Sequence, residues 1–225
     1  MKLLRIADAP PFPGSLEFDA RVLFEGDSFG MVHFTLKPGQ YIPLHNMPFE
    51  VCFLVLSGDG TLTVNDENHQ VREGYRIHCL PEARRGWRNH SLDQDLRILV
   101  LKIKKDTENR GEQVDIRRMD GEKPAPNPHG VDVRRVYESE FALMSVLSLK
   151  PGEQLIRHIT PVDVFFYLIS GTGVVEVGEE AEEIEADTMI ESPKGIPHCW
   201  YNRSDGEVRV LVVKTPKPTT PTVLL

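Results

Sequence analysis

The residues whose types and spacing could do chemistry are a few histidines, and the best placed of them fall within the stretch 148–202. His158 follows the Pro151-Gly152 turn after five intervening residues, and His198 lies in Pro193-x-Gly195-x-x-His198-x-x-x-Asn202. Imidazole titrates near neutral pH, so either histidine could move a proton, and a neutral ring nitrogen can also hold a transition metal. Near His158, Thr160 offers a weak neutral oxygen and Asp163 a carboxylate. Trp200 sits two residues past His198, on the same face of a strand, where it could wall a cavity or stack on a cyclic ligand. Cys199 alternates to the opposite face and reads as a small buried hydrophobe.

The stretch has an earlier copy. Shifted by about 113 positions, residues 35–89 align on it without a gap. TLKPG matches SLKPG, and His45, Val51, Phe53, Ser57-Gly58, Gly60, Trp87 and Asn89 match His158, Val164, Phe166, Ser170-Gly171, Gly173, Trp200 and Asn202. At two chemistry-bearing positions the copies differ, because Met47 stands where Thr160 does and Arg85 where His198 does.

These residues need strands to position them. FGMVHFTL, EVCFLVLS, TLTVN, YRIHCL and LRILVLKI are apolar runs of strand length separated by turn signals, and no stretch shows helical periodicity. The expected fold is all-β, with two tandem barrels or sandwiches. Its expected layout is an extended arm over 1–20, a barrel over 21–105, a charged and Pro/Gly-rich linker over 106–130, a second barrel over 131–215 and a Pro/Thr-rich tail over 216–225.

The two halves together resemble the cupin superfamily, and the chain is similar to a bicupin, a tandem pair of jelly-roll barrels of the double-stranded β-helix type. Gly152, His158 and Gly171 match the first cupin motif, with Thr160 in place of its second histidine and Val164 in place of its glutamate. Pro193, Gly195, His198 and Asn202 match the second motif, with Ala186 in place of its first glycine. The resemblance implies a divalent ion (Fe, Mn, Ni, Cu or Zn) inside the C-terminal barrel, held by His158 and His198. Asp163, if a bulge turned it inward, would complete a 2-His-1-carboxylate set. Strand alternation opposes that, since a one-residue shift sends a side chain to the other face. In the N-terminal barrel Arg85 stays charged and cannot ligate a metal. With His45 it suits a carboxylate or phosphate; alternatively Arg84 and Arg85 face solvent and the barrel is filled by side chains. Trp87 and Trp200 are expected to line the two sites.

Composition bounds the partners. A net charge of −8 with no basic patch argues against nucleic acid and anionic membrane surfaces. The N-terminal apolar segment is too short for a signal peptide, no run is long enough to span a bilayer, and three unpaired cysteines fit a reducing cytoplasm. A small-molecule ligand, an anionic one included, and a homodimer are expected. Three functions remain open at this point. One is metal-dependent small-molecule chemistry of the dioxygenase, decarboxylase, isomerase or hydrolase class. Another is a metal-free epimerase-like reaction with His158 as base, and the last is non-catalytic metabolite binding.

Overall fold

The computed structural model describes residues 1–14, 17–105 and 111–225; arm residues 15–16 and linker residues 106–110 lie outside the described residues. Regular structure among them is strand throughout, apart from two short 3-10 turns at Ile6–Asp8 and Met119–Gly121. No helix among the described residues is long and apolar enough to cross a membrane. The chain divides into two units, Ala9–Gly121 and Met1–Asp8 with Glu122–Leu225. Each is a pair of antiparallel sheets over one apolar core, the jelly-roll barrel expected from the repeat.

In the N-terminal barrel a six-stranded sheet runs in the order Val114–Arg118, Tyr75–Cys79, Glu50–Ser57, Leu96–Ile103, Phe29–Leu36, Asp19–Glu25. Its four-stranded partner runs Tyr41–His45, Arg85–Arg88, Asp59–Val64, Glu67–Arg72. The C-terminal barrel repeats this with Lys2–Arg5, Thr188–Ser192, Asp163–Ser170, Val208–Thr215, Leu143–Leu149, Asp132–Glu138. Its second sheet runs Glu180–Glu185, Thr172–Val177, Pro197–Tyr201, His158–Ile159, Val223–Leu224. Alternation decides which side chains make the core. Val51, Phe53 and Val55 enter it in the first barrel, and Val164, Phe166 and Leu168 in the second.

The repeat is also visible in the turns. Gly58 and Gly171 both have positive φ, 77° and 87°. A Cβ on either would strike a backbone carbonyl, of Asp95 or Glu207, so each Ser-Gly turn admits only glycine. The two motif asparagines are clamps rather than site residues. Asn202 donates to the carbonyls of Leu149 and Gly206 and accepts from the Ser204 amide; Asn89 does the same with Leu36, Gln94 and Ser91.

The boundaries differ from the expected layout at both ends and in the middle. Lys2–Arg5, expected in an extended arm outside the barrels, pairs antiparallel with Thr188–Ser192 and becomes an edge strand of the C-terminal barrel. Val114–Arg118, expected in a linker, pairs with Tyr75–Cys79 at the equivalent edge of the N-terminal barrel. Each edge strand is followed by its 3-10 turn, so the repeat begins earlier than the motifs reveal, and each barrel borrows the first strand of the other repeat. The tail also ends in a strand, Val223–Leu224, paired with His158–Ile159. Glu50, which reads as a solvent-facing acid at the start of a strand, is buried and lies 3.2 Å from His78 Nε2.

Candidate functional site

Two strands bring the motif histidines face to face. His158 lies directly opposite His198 in the antiparallel register of His158–Ile159 with Pro197–Tyr201. The ring centroids are 4.4 Å apart, and both residues are buried. A third imidazole arrives from outside the motifs: His129, in the segment expected to be linker, places its ring 4.7 Å from that of His158. These rings line a cavity of about 170 Å³ together with Lys214 and Asn127, against apolar walls that include Val133, Leu143, Leu147, Leu155, Phe166 and Val212. A cavity near 150 Å³ with apolar walls holds a molecule the size of benzene, so the space suits a small metabolite.

Lys214 inverts the charge of the site. It stands directly across from Val164 in the register of Val208–Thr215 with Asp163–Ser170, and opposed residues share a face. Among the described residues no carboxylate pairs with it. The equivalent lysine of the N-terminal barrel, Lys102 opposite Val51, has a partner in Glu25 at 3.4 Å.

The hydrogen bonds fix the tautomers. A carbonyl only accepts, so His158 Nδ1 donates to Ile156 O at 2.8 Å and leaves the lone pair on Nε2. His198 Nδ1 is likewise bound to Ile196 O at 3.2 Å, with Ser192 Oγ at 3.0 Å. Its Nε2 accepts from the Thr160 hydroxyl at a loose 3.4 Å. His129 Nδ1 accepts from the Ile156 amide, so its proton sits on Nε2. Among the described residues His158 Nε2 is therefore the basic ring nitrogen of the three left without a hydrogen-bond donor.

Burial and mutual repulsion keep this cluster neutral. Burial, then the neighbouring His158, holds His198 down to about 3, and the same two causes hold His129 at about 4. Burial also lowers His158 and, at the wall, the Lys214 ammonium.

A family model described as a cupin domain matches residues 32–102 and 145–214, both halves of the repeat. The chain belongs to the cupin family. Three solved cupin-fold structures illustrate how far the barrel architecture is shared. The chain is similar to Ylba from E. coli at 18% identity and TM-score 0.79, covering 97% of this chain and 92% of that one. It is similar to a putative glyoxylate-induced protein from Pseudomonas aeruginosa at 16% identity and TM-score 0.81, covering 97% and 90%. It is also similar to oxalate decarboxylase from Lactobacillus farciminis at 14% identity and TM-score 0.77, covering 99% and 88%. A comparison with curated proteins found no match. At these identities the likeness shows the fold, and a cupin fold does not fix a function.

For a cupin, this donor set does not fit the expected divalent ion. The three imidazoles meet without forming a ligand set: among the described residues no group of three His, Cys, Asp or Glu is arranged to hold a metal. Asp163, named as a ligand by the sequence reading, is exposed, and its Oδ1 accepts from the Lys194 amide at 2.9 Å. Alternation explains this, since Val164 takes the core face and its neighbour must take the other. His198 Nε2 is engaged by Thr160, and the Lys214 ammonium would repel a cation.

The remaining expected residues are dispersed. Trp200 is fully buried but stands behind Phe166, at 5.6 Å between centroids, rather than on the cavity wall. In the N-terminal barrel, Arg85 is fully buried opposite His45, and Trp87 packs edge-on against Phe53 at 5.3 Å. The sequence reading missed Lys214 and His129. Lys214 is detectable, because it continues the inward alternation Val208, Val210, Val212. His129 carries no local signal, being placed by the path of residues 122–130.

Proposed function

We propose that the C-terminal barrel binds a small anionic molecule without a metal ion, and that His158 is the general base of a proton transfer on it. The observation that supports this reading is that one free imidazole lone pair and one unanswered ammonium share a single apolar cavity. Lys214 would anchor the carboxylate or the developing enolate oxygen of a small carbonyl acid. His158 Nε2 would take the proton from the carbon beside the carbonyl. The C–H electron pair moves into the enolate, and return of the proton gives an isomer or epimer. The apolar walls strengthen both interactions by excluding water.

The test is solvent exchange. In D2O with small 2-oxo and 2-hydroxy acids, the wild-type protein is expected to place deuterium at the carbon next to the carbonyl. His158→Gln is expected to slow this by about 100-fold or more, the usual contribution of a positioned base. Exchange that survives His158→Gln would remove the base assignment.

A second reading, ligand binding without chemistry, draws on the partner of His158. A peptide carbonyl orients its ring where a carboxylate would stabilise the imidazolium, and burial lowers its basicity. Binding that depends on Lys214, with no exchange on any acid, would favour it. The metal question has its own measurement. Elemental analysis of protein purified without tag or chelator is expected to give well below one ion per chain, alike in wild type and His198→Ala. Stoichiometric Fe, Mn, Ni, Cu or Zn that vanishes in His198→Ala would restore the metal centre.

A further inference from the structure

The N-terminal barrel holds a buried cation with more than half of its hydrogen-bonding capacity unspent. Arg85 is 0% exposed. Its Nη1 donates to Ala83 O at 2.9 Å, while Nε and Nη2 have no partner among the described residues. The guanidinium lies 6.0 Å from the Phe53 ring centroid, in a core that also contains Val51, Val64, Cys79 and Trp87. A buried guanidinium cannot neutralise itself as a lysine can, so an uncompensated one is a severe burden on the fold.

The register makes this a site. Arg85 faces His45 across neighbouring strands, as His198 faces His158 beside the C-terminal cavity. The local hydrogen bonds repeat as well. Each of the four side chains is tied to the carbonyl two residues before it: His45 to Pro43, Arg85 to Ala83, His158 to Ile156 and His198 to Ile196. The N-terminal barrel thus keeps the frame of the other site and puts a permanent cation at its centre. Among the described residues no acid answers it from within. Lys102 takes Glu25, and the ionisable neighbour that Arg85 does feel, Cys79, is pushed up to about 11 by burial and stays a neutral thiol.

We propose that the N-terminal barrel holds a small monocarboxylate on the Nε–Nη2 edge of Arg85. That edge presents two parallel N–H bonds, the spacing that meets two carboxylate oxygens as a fork. One positive charge is balanced by one negative charge. A phosphate or sulfate dianion would leave a net charge buried in the same apolar surroundings, which selects a carboxylate with a short apolar tail. The site is separate from the C-terminal cavity and does not depend on what that cavity does.

The experiment is thermal unfolding of the full chain in acetate, propionate, chloride and sulfate at equal ionic strength. Wild type, Arg85→Met, Arg85→Lys, Lys214→Met and the double variant Arg85→Met/Lys214→Met are compared. The carboxylates are expected to raise the wild-type midpoint by several degrees in a saturable way, while chloride and sulfate are not. The Arg85 component of the shift should persist in Lys214→Met, be lost when Arg85→Met is added to Lys214→Met, and need at least tenfold more carboxylate in Arg85→Lys, which keeps the charge but lacks the fork. Loss in Lys214→Met with retention in Arg85→Met would assign the carboxylate to the C-terminal cavity and overturn the proposal. So would equal shifts from all four anions, or no carboxylate shift in wild type. If Arg85→Met does not fold, line broadening of ¹³C-acetate by wild type and Arg85→Lys decides. Broadening in wild type that is strongly reduced in the lysine variant supports the site, and none in wild type, or equal broadening in both, rejects it.

Discussion

Lowering the pH from 6.5 to 4 is expected to remove about 3 kcal/mol of folding stability through His198 alone, the linkage cost of a buried imidazole that cannot take up its proton. In the unfolded chain this histidine protonates near 6.5; in the fold, burial and the neighbouring His158 hold it at about 3. Between those values the unfolded state binds a proton that the native state refuses. The stability is therefore fully present above pH 6.5 and is lost as the pH falls towards 3. His129, held at about 4, acts in the same direction, though its partial exposure makes its share smaller. The groups acting on His198 among the described residues are His158, His129, Phe166, Thr160, Ser192 and Lys214, and none of them is an acid that could welcome the charge. Since the imidazoles repel one another, they titrate as a set. Urea midpoints across this range should fall steeply in wild type and flatten in His198→Asn, which starts lower at pH 7. An unchanged slope in the variant would place the acid sensitivity elsewhere. A bound carboxylate would oppose the loss, because an anion beside these rings favours their protonated forms.

The fold is legible in the sequence because its determinants are local and doubled. Each barrel needs the same left-handed glycine after a serine-ended strand, the same asparagine clamp and the same aromatic pair, so Gly58 and Gly171, Asn89 and Asn202, Trp87 and Trp200 stay in register. His158 and His198 are legible for the same reason. What depends on long-range pairing is not. Lys2–Arg5 and Val114–Arg118 are too short and mixed to announce which edge they complete, and the exchange of first strands hides the start of the repeat. His129 reaches the cavity by chain path alone. Lys214 is a different case: strand alternation points it inward, yet a lysine ending an apolar run reads most simply as a solvated end. The missing glutamate and the inward lysine belong together, since Val164 and Lys214 are opposed in register: a carboxylate is absent and an ammonium present at facing positions, which is the basis of the anion-binding proposal.

Trp200→Ala should be the most damaging single change in the C-terminal barrel, costing about 3–5 kcal/mol, the range for removing a large aromatic side chain from a packed core. Trp200 has no exposed surface, and its indole Nε1 has no hydrogen-bond partner among the described residues, so the loss is one of packing and cavity formation rather than of a polar contact. Its ring supports Phe166 edge-on at 5.6 Å, and Phe166 in turn meets the His198 ring at 5.4 Å and lines the cavity. The cavity wall therefore rests on Trp200 without being made of it. Trp200→Phe keeps an aromatic edge against Phe166 and deletes the unpaired N–H, and is expected to lose well under half as much. Trp87→Ala, the same deletion in the other repeat, should destabilise by a similar amount through Phe53 while leaving carboxylate binding at Lys214 unchanged. Urea unfolding of the three variants, with ligand titration of those that fold, checks both parts. If Trp200→Ala lost less than about 1 kcal/mol, the barrel would have to collapse onto the vacated volume far better than packed cores do. The support of Phe166, and with it of the face presented to His198, would then lie elsewhere.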